Sequence, residues 1–121
     1  MNDLILLERS RKLYRQVHKP LLNFPRAERY AMQLQIRQNF TDFMVNIMIA
    51  NRVNSLRKQK LMLADANLET LKLLFNMAVE FKYISKGFHS DVMYKFDEIG
   101  RLLGGFIKFK PPLDSDKSMQ V

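Results

Sequence analysis

The stretch Leu61-Met62-Leu63-Ala64-Asp65-Ala66-Asn67-Leu68-Glu69-Thr70-Leu71-Lys72-Leu73-Leu74-Phe75-Asn76-Met77-Ala78 decides the fold class. Leu61, Ala64, Leu68, Leu71, Phe75 and Ala78 recur at steps of three and four, the spacing that packs knobs along a nearly parallel helix. Leu74, Phe81 and Ile84 broaden that side, so the pattern predicts a helix over residues 61–83.

Toward the C-terminus, Ser85 is the next capping residue, and Phe88, Val92, Phe96, Ile99, Leu103 and Phe106 carry the same spacing onward. A helix over 86–109 follows, stopped by Pro111-Pro112. Residues 111–121 have few apolar anchors and are expected to form a disordered tail.

Toward the N-terminus, Pro25 suits the first position of a helix because its missing amide would be unpaired there in any case. The next Gly or Pro is distant, which predicts a helix over 25–58. Tyr30, Leu34, Phe40, Phe43, Ile47 and Leu56 give it a buried stripe, and Ile36, Met44, Met48 and Val53 widen the apolar sector beyond what one neighbour covers. No strong breaker lies between Arg57 and Leu61, so the turn into the next helix is inferred there from bundle geometry. The first helix spans 4–22 with Leu6, Leu13, Val17 and Leu21 on one side and Asp3 as its cap. Pro20 should kink or end it, and Asn23-Phe24-Pro25 reads as the turn. Four such helices with short connections define an all-α, antiparallel up-and-down four-helix bundle over residues 1–110.

Composition narrows the chemistry. The 121 residues contain no Cys and two His, His18 and His89, which leaves no disulfide framework, no thiolate chemistry and too few ligands for a His-based metal site. Neither a metal nor a cofactor is expected. No apolar run approaches the ~20 residues that cross a bilayer. The first residues lack the pattern of a secretory signal, so a cytoplasmic location is expected.

The formal charge is +8, and it is unevenly placed. Residues 1–60 hold twelve basic and four acidic side chains. Lys12, Arg15 and Lys19 share one side of the first helix, flanked by Arg9 and Arg11. Arg26, Arg29, Gln33 and Arg37 form a second ridge. Arg26 and Arg29 fall in the first turns predicted for the second helix, where the macrodipole disfavours cations, so an external anionic partner would explain them. The expected mode is contact with nucleic-acid phosphates without base reading; the competing reading is a solvated basic face.

Other features are weighed in the same way. Tyr14, Tyr30 and Phe40 lie among the basic residues and suit base stacking, but each also falls on or beside an apolar stripe, and core packing is the preferred reading. His18 and His89 read as surface or capping residues, and no nucleophile stands at catalytic spacing from either. Asp97 and Glu98 are adjacent on a helix and point about 100° apart, so they do not converge on one substrate. No enzyme is expected. Asn46, Asn51 and Asn54 place amides along the second helix, for an interface or for water. Gly100, Gly104 and Gly105 cost a helix roughly 1 kcal/mol each relative to Ala. Gly100 and Gly104 share a side, which suits close approach by another helix or subunit; the alternative is a helix that breaks at Gly104-Gly105.

Three stretches carry a resemblance: Phe24-Pro25-Arg26-Ala27-Glu28-Arg29-Tyr30, Lys60-Leu61-Met62-Leu63-Ala64-Asp65-Ala66-Asn67-Leu68 and Glu98-Ile99-Gly100-Arg101-Leu102-Leu103-Gly104-Gly105-Phe106-Ile107. Over roughly residues 5–109 the chain resembles the Avd-like four-helix-bundle family. That family includes the accessory variability determinants of diversity-generating retroelements and proteins encoded in intervening sequences of bacterial 23S rRNA genes. Phe106 stands where Trp is expected in the family, which keeps a large aromatic. The resemblance implies a pentameric, basic barrel that binds the retroelement reverse transcriptase and template RNA or cDNA and supports mutagenic reverse transcription without an active site of its own. Arg9, Arg11, Lys12, Arg15, Lys19, Arg26, Arg29 and Arg37 are then the candidate partner-binding residues, and Gly100, Gly104 and Gly105 the candidate helix-packing or subunit-interface residues. The alternative is an oligomer of the intervening-sequence type whose partner is a protein and which does not bind nucleic acid significantly.

Overall fold

The computed structural model describes residues 4–109. Four α-helices account for most of them: α1 (Leu4–Leu22), α2 (Met32–Arg52), α3 (Arg57–Glu80) and α4 (Lys86–Lys108), with no strand among the described residues. Each helix packs against the next in sequence, α4 closes back on α1, and the backbones of the diagonal pairs do not approach one another. This is the up-and-down bundle that the spacing predicts. The α2–α3 pair is the most closely packed of the four. Asp3 and the segment 111–121 lie outside the described residues.

The core follows the apolar spacing closely in α3 and α4. Leu61, Ala64, Leu68, Leu71, Phe75 and Ala78 are all buried, as are Val92, Phe96, Ile99 and Leu103. At the centre, one line of rings crosses all four helices: Tyr14 packs on Phe40 at 5.2 Å, Phe40 on Phe96 at 5.9 Å and Phe96 on Phe75 at 5.5 Å. In α1 the seven-residue gap between Leu6 and Leu13 is filled by Ser10, which is buried and donates to the Leu6 carbonyl at 2.6 Å. A small hydroxyl bonded to its own helix fits a core position that a larger side chain would crowd.

The helix ends show which local rules prevail. Ser85 caps α4 by accepting from the Phe88 amide at 3.0 Å, as expected. Pro20 lies inside the last turn of α1, which runs on to Leu22. α4 continues through Gly104 and Gly105, so the break considered there does not occur.

The second helix departs from expectation at both ends. It begins at Met32, preceded by a 3-10 turn, Arg26–Glu28. Its first amide is met from the turn, since Glu28 Oε1 accepts from the Met32 amide at 3.4 Å. Arg26 and Arg29 therefore precede α2, and the dipole argument made for them does not apply. Tyr30, with 82 % of its surface exposed, and Leu34 at 38 % are not core residues; Met32, Gln33 and Ile36 fill that end of the stripe instead. Gln33 is buried, so it is not part of an exposed basic ridge. At the other end α2 stops at Val53, which is extended (φ −120°, ψ 96°), and a 3-10 turn, Asn54–Leu56, leads into α3 at Arg57. The break comes before Arg57, not between Arg57 and Leu61. A β-branched residue followed by Asn-Ser is locally weak in a helix, because those side chains compete for backbone hydrogen bonds.

Candidate nucleic-acid interface

Burial of Leu6, Ser10, Leu13, Val17 and Leu21 turns the opposite side of α1 outward. Arg9, Arg11, Lys12, Arg15 and Lys19 are all exposed there, and so are Arg26 and Arg29 in the connection to α2. Arg37 is half-buried between α1 and α2. Among the described residues, only Arg9 of these eight has a carboxylate within reach, Glu98 at 3.9 Å. That distance and the exposure of both side chains make the pair a weak constraint. Among the described residues, the α1 side is thus a run of cations in which Arg9 alone has a counter-charge nearby.

The fold adds residues that sequence spacing did not assemble. Lys95 of α4 donates to Gln16 of α1, across 79 positions in the chain. A shallow groove of about 290 Å³ runs between these helices, rimmed by Arg9, Lys12, Lys95 and Glu98 over Leu13 and Ile99. Lys95 escaped the sequence reading because its segment carries less net charge, and only the return of α4 onto α1 brings it to the basic side. At the α2–α3 turn, Arg52, Arg57, Lys58 and Lys60 form a second cationic group; Arg57 donates to the Ala50 carbonyl at 3.5 Å.

The remaining candidates separate by what they touch. Tyr14 packs on Phe40 and Phe40 is buried, so both are core aromatics; Tyr30 is the exposed one. His18 is exposed, with Nδ1 at 3.3 Å from Arg37 Nη1. His89 is neither surface nor cap: its Nε2 is 2.7 Å from Asn76 Oδ1, which joins α4 to α3. Asp97 pairs with Lys72 at 3.4 Å while Glu98 pairs with Arg9, so the two carboxylates diverge toward opposite neighbours. Among the described residues no cluster of His, Asp or Glu is suited to a metal ion, and no helix is long and apolar enough to cross a membrane.

Of the three amides placed on α2 by sequence, Asn46 joins a ladder, whereas Asn51 is exposed and Asn54 lies in the 3-10 turn beyond the helix. Asn46 Nδ2 donates to Asn67 Oδ1 at 2.8 Å, Asn67 Nδ2 to Asn39 Oδ1 at 3.2 Å, and Asn39 Nδ2 to the Gln35 carbonyl at 2.8 Å. Asn39 and Asn46 are seven apart and share a side of α2, so Asn67 of α3 locks the register of the two helices. Leu34, Val45, Met48, Met62, Leu63 and Leu73 are exposed on α2 and α3, and Val45 and Leu63 line a shallow groove beside this ladder with Asn46 and Asn67. Of the glycines, Gly100 meets α3, where an added Cβ would lie 3.4 Å from Leu68 Cδ2. Among the described residues, nothing lies within 4 Å of such a Cβ at Gly104 or Gly105, so neither meets another of the four helices.

Fold and surface together define a class: an all-α, four-helix bundle with an exposed cationic side on its first helix. The chain belongs to the bAvd-like family, whose model matches residues 4–110. No curated protein and no solved structure shows significant similarity to it.

Proposed function

We propose that this protein is a non-catalytic accessory factor of a diversity-generating retroelement, which assembles with copies of itself and holds template RNA or cDNA beside the reverse transcriptase. Family membership supports the retroelement setting. The observation that carries the nucleic-acid part is the α1 side, where Arg11, Lys12, Arg15 and Lys19 are exposed with no carboxylate partner among the described residues. Cations so placed meet phosphates, release counter-ions, and bind polyanions without reading bases. The apolar side chains exposed on α2 and α3 support self-association or contact with a polymerase, and a pentameric barrel is the assembly this reading adopts. Five copies of a +8 chain would attract RNA strongly at low salt.

The test combines mass and affinity. Light-scattering mass is measured alone and with single-stranded RNA over a salt series, for the native chain and for Arg11→Gln/Lys12→Gln/Arg15→Gln/Lys19→Gln. The expected result is an oligomer near five protomers whose RNA affinity falls steeply with salt, and a variant that keeps its fold but has a shallower slope, by roughly 0.7 for each contact removed. An oligomer indifferent to RNA at physiological salt would replace this reading with that of a protein-binding bundle.

A further inference from the structure

We propose that Tyr14, His18 and Arg37 form a discrete phosphate-binding notch between α1 and α2, distinct in chemistry from the diffuse basic side around it. The inference rests on the nucleic-acid reading for its ligand's source, a backbone phosphodiester, but not for the site itself.

The argument is one of hydrogen-bond inventory. Arg37 Nη1 lies 3.4 Å from Tyr14 Oη and 3.3 Å from His18 Nδ1. A guanidinium only donates, so the phenol oxygen and Nδ1 must be the acceptors. Two consequences follow. The hydroxyl hydrogen of Tyr14 is directed away from Arg37, and a His18 that accepts at Nδ1 carries its proton on Nε2. The Tyr14 O–H, the His18 Nε2–H and the remaining guanidinium N–H groups are left as donors, and among the described residues no protein acceptor and no carboxylate within 4.0 Å meets any of them. A half-buried cation is ordinarily paired. Here its partners are two neutral acceptors, each of which turns a donor of its own outward, and what the cluster lacks among the described residues is an oxygen anion.

The notch is also built into the fold. The Tyr14 ring is anchored on buried Phe40 at 5.2 Å, which fixes the height of its hydroxyl. Tyr14 and His18 are one helical turn apart on α1, and Arg37 reaches them from α2 across 23 and 19 positions. Both contacts to Arg37 are long for hydrogen bonds, so the guanidinium can turn toward a ligand at small cost. A phosphate accepts two parallel N–H bonds from such a fork, which a lysine cannot supply.

The experiment follows the arginine and histidine side-chain resonances by ¹⁵N NMR while inorganic phosphate, and separately a single-stranded oligouridylate, is titrated into the native chain. Arg37 and His18 resonances should shift with both ligands. Arg37→Lys keeps the charge and should weaken oligouridylate binding about tenfold. Tyr14→Phe keeps the ring on Phe40 and should weaken it about fivefold. Neither should alter the salt slope, which distinguishes them from removal of charge at Arg11, Lys12 or Arg15. If the oligouridylate binds with its usual salt slope and Arg37 and His18 stay silent, the notch is refuted and the basic side stands. If inorganic phosphate shifts Arg37 and His18 while the oligouridylate does not bind, the notch stands and the retroelement reading loses its nucleic acid.

Discussion

The Tyr83 phenol donates a 2.9 Å hydrogen bond to Glu28 Oε2, tying the α3–α4 turn to the α1–α2 connection 55 positions earlier. Phe24 and Phe81 flank the Tyr83 ring at 5.3 and 5.7 Å. The phenol is pushed above its ordinary value of 10.0, first by the hydrogen bond to Glu28, then by burial and by the Glu28 charge. A folded-state value raised above the unfolded one contributes stability that is fully present below about pH 10 and is lost as pH rises through the higher folded value. Denaturant midpoints measured on the alkaline side should fall more steeply for the native chain than for Tyr83→Phe. Parallel curves would show that the bond carries no net stability.

Lys82 has φ 63° and closes α3 as the left-handed residue of a Schellman cap, with its own amide bonded to Val79 O at 3.1 Å and that of Tyr83 to Ala78 O at 2.9 Å. This conformation strains any residue with a Cβ and suits glycine. Lys82→Gly should raise unfolding free energy by about 0.5–1 kcal/mol, the relief being partly offset by the greater freedom of glycine in the unfolded chain. Urea denaturation reads the change.

Asn67 serves two partners, so its loss strands both. Asn67→Ala should cost about 1–2 kcal/mol by leaving Asn46 and Asn39 unsatisfied in a part-buried seam. A double-mutant cycle with Asn46→Ala checks the mechanism: the two losses should not add.

With no atom of the described residues within 4 Å of an added Cβ, Gly104→Ala should stabilise the bundle by about 1 kcal/mol through helix propensity. Gly100→Ala should gain less, because its Cβ would touch Leu68. If Gly104 lies against a second copy, the same variant will weaken the assembly while raising the unfolding midpoint of the chain. Analytical ultracentrifugation beside thermal melts separates the two effects.

Phe96 is fully buried and bridges Phe40 to Phe75, so Phe96→Ala should cost about 3–5 kcal/mol from lost contacts and the cavity left behind. Calorimetry would measure it, and a cost below ~2 kcal/mol would mean the core collapses around the gap.

Legibility in the sequence tracked the strength of local signals. The central stripes of α3 and α4 are legible because their apolar positions keep strict helical spacing and Ser85 offers an unambiguous cap, whereas the ends are not: α3 stops at Glu80 rather than residue 83, Phe81 is exposed, and Phe88 and Phe106 are only partly buried. The start of α2 was misread because Pro25 satisfies two rules, first residue of a helix or of a turn, and Glu28 supplies the choice only by reaching the Met32 amide. The end of α2 was misplaced because Val53-Asn54-Ser55 contains no Gly or Pro. The exposure of the α1 cations follows from the apolar stripe opposite them, but Arg37 falls in a ridge by spacing and between two helices in space.

Periodicity, composition and charge were enough to determine that this chain forms four helices in an antiparallel bundle, and that its cations gather in the first half. Those properties are one-dimensional: an apolar repeat of three and four residues leaves a helix one way to bury its side chains. Tertiary structure alone decided which cations stand unpaired, that Lys95 joins α1, that Asn67 fixes the α2–α3 register, and that Tyr14, His18 and Arg37 meet. Contacts between side chains 19 to 79 positions apart depend on helix rotation and axial offset, and both are set by the packing of the whole core.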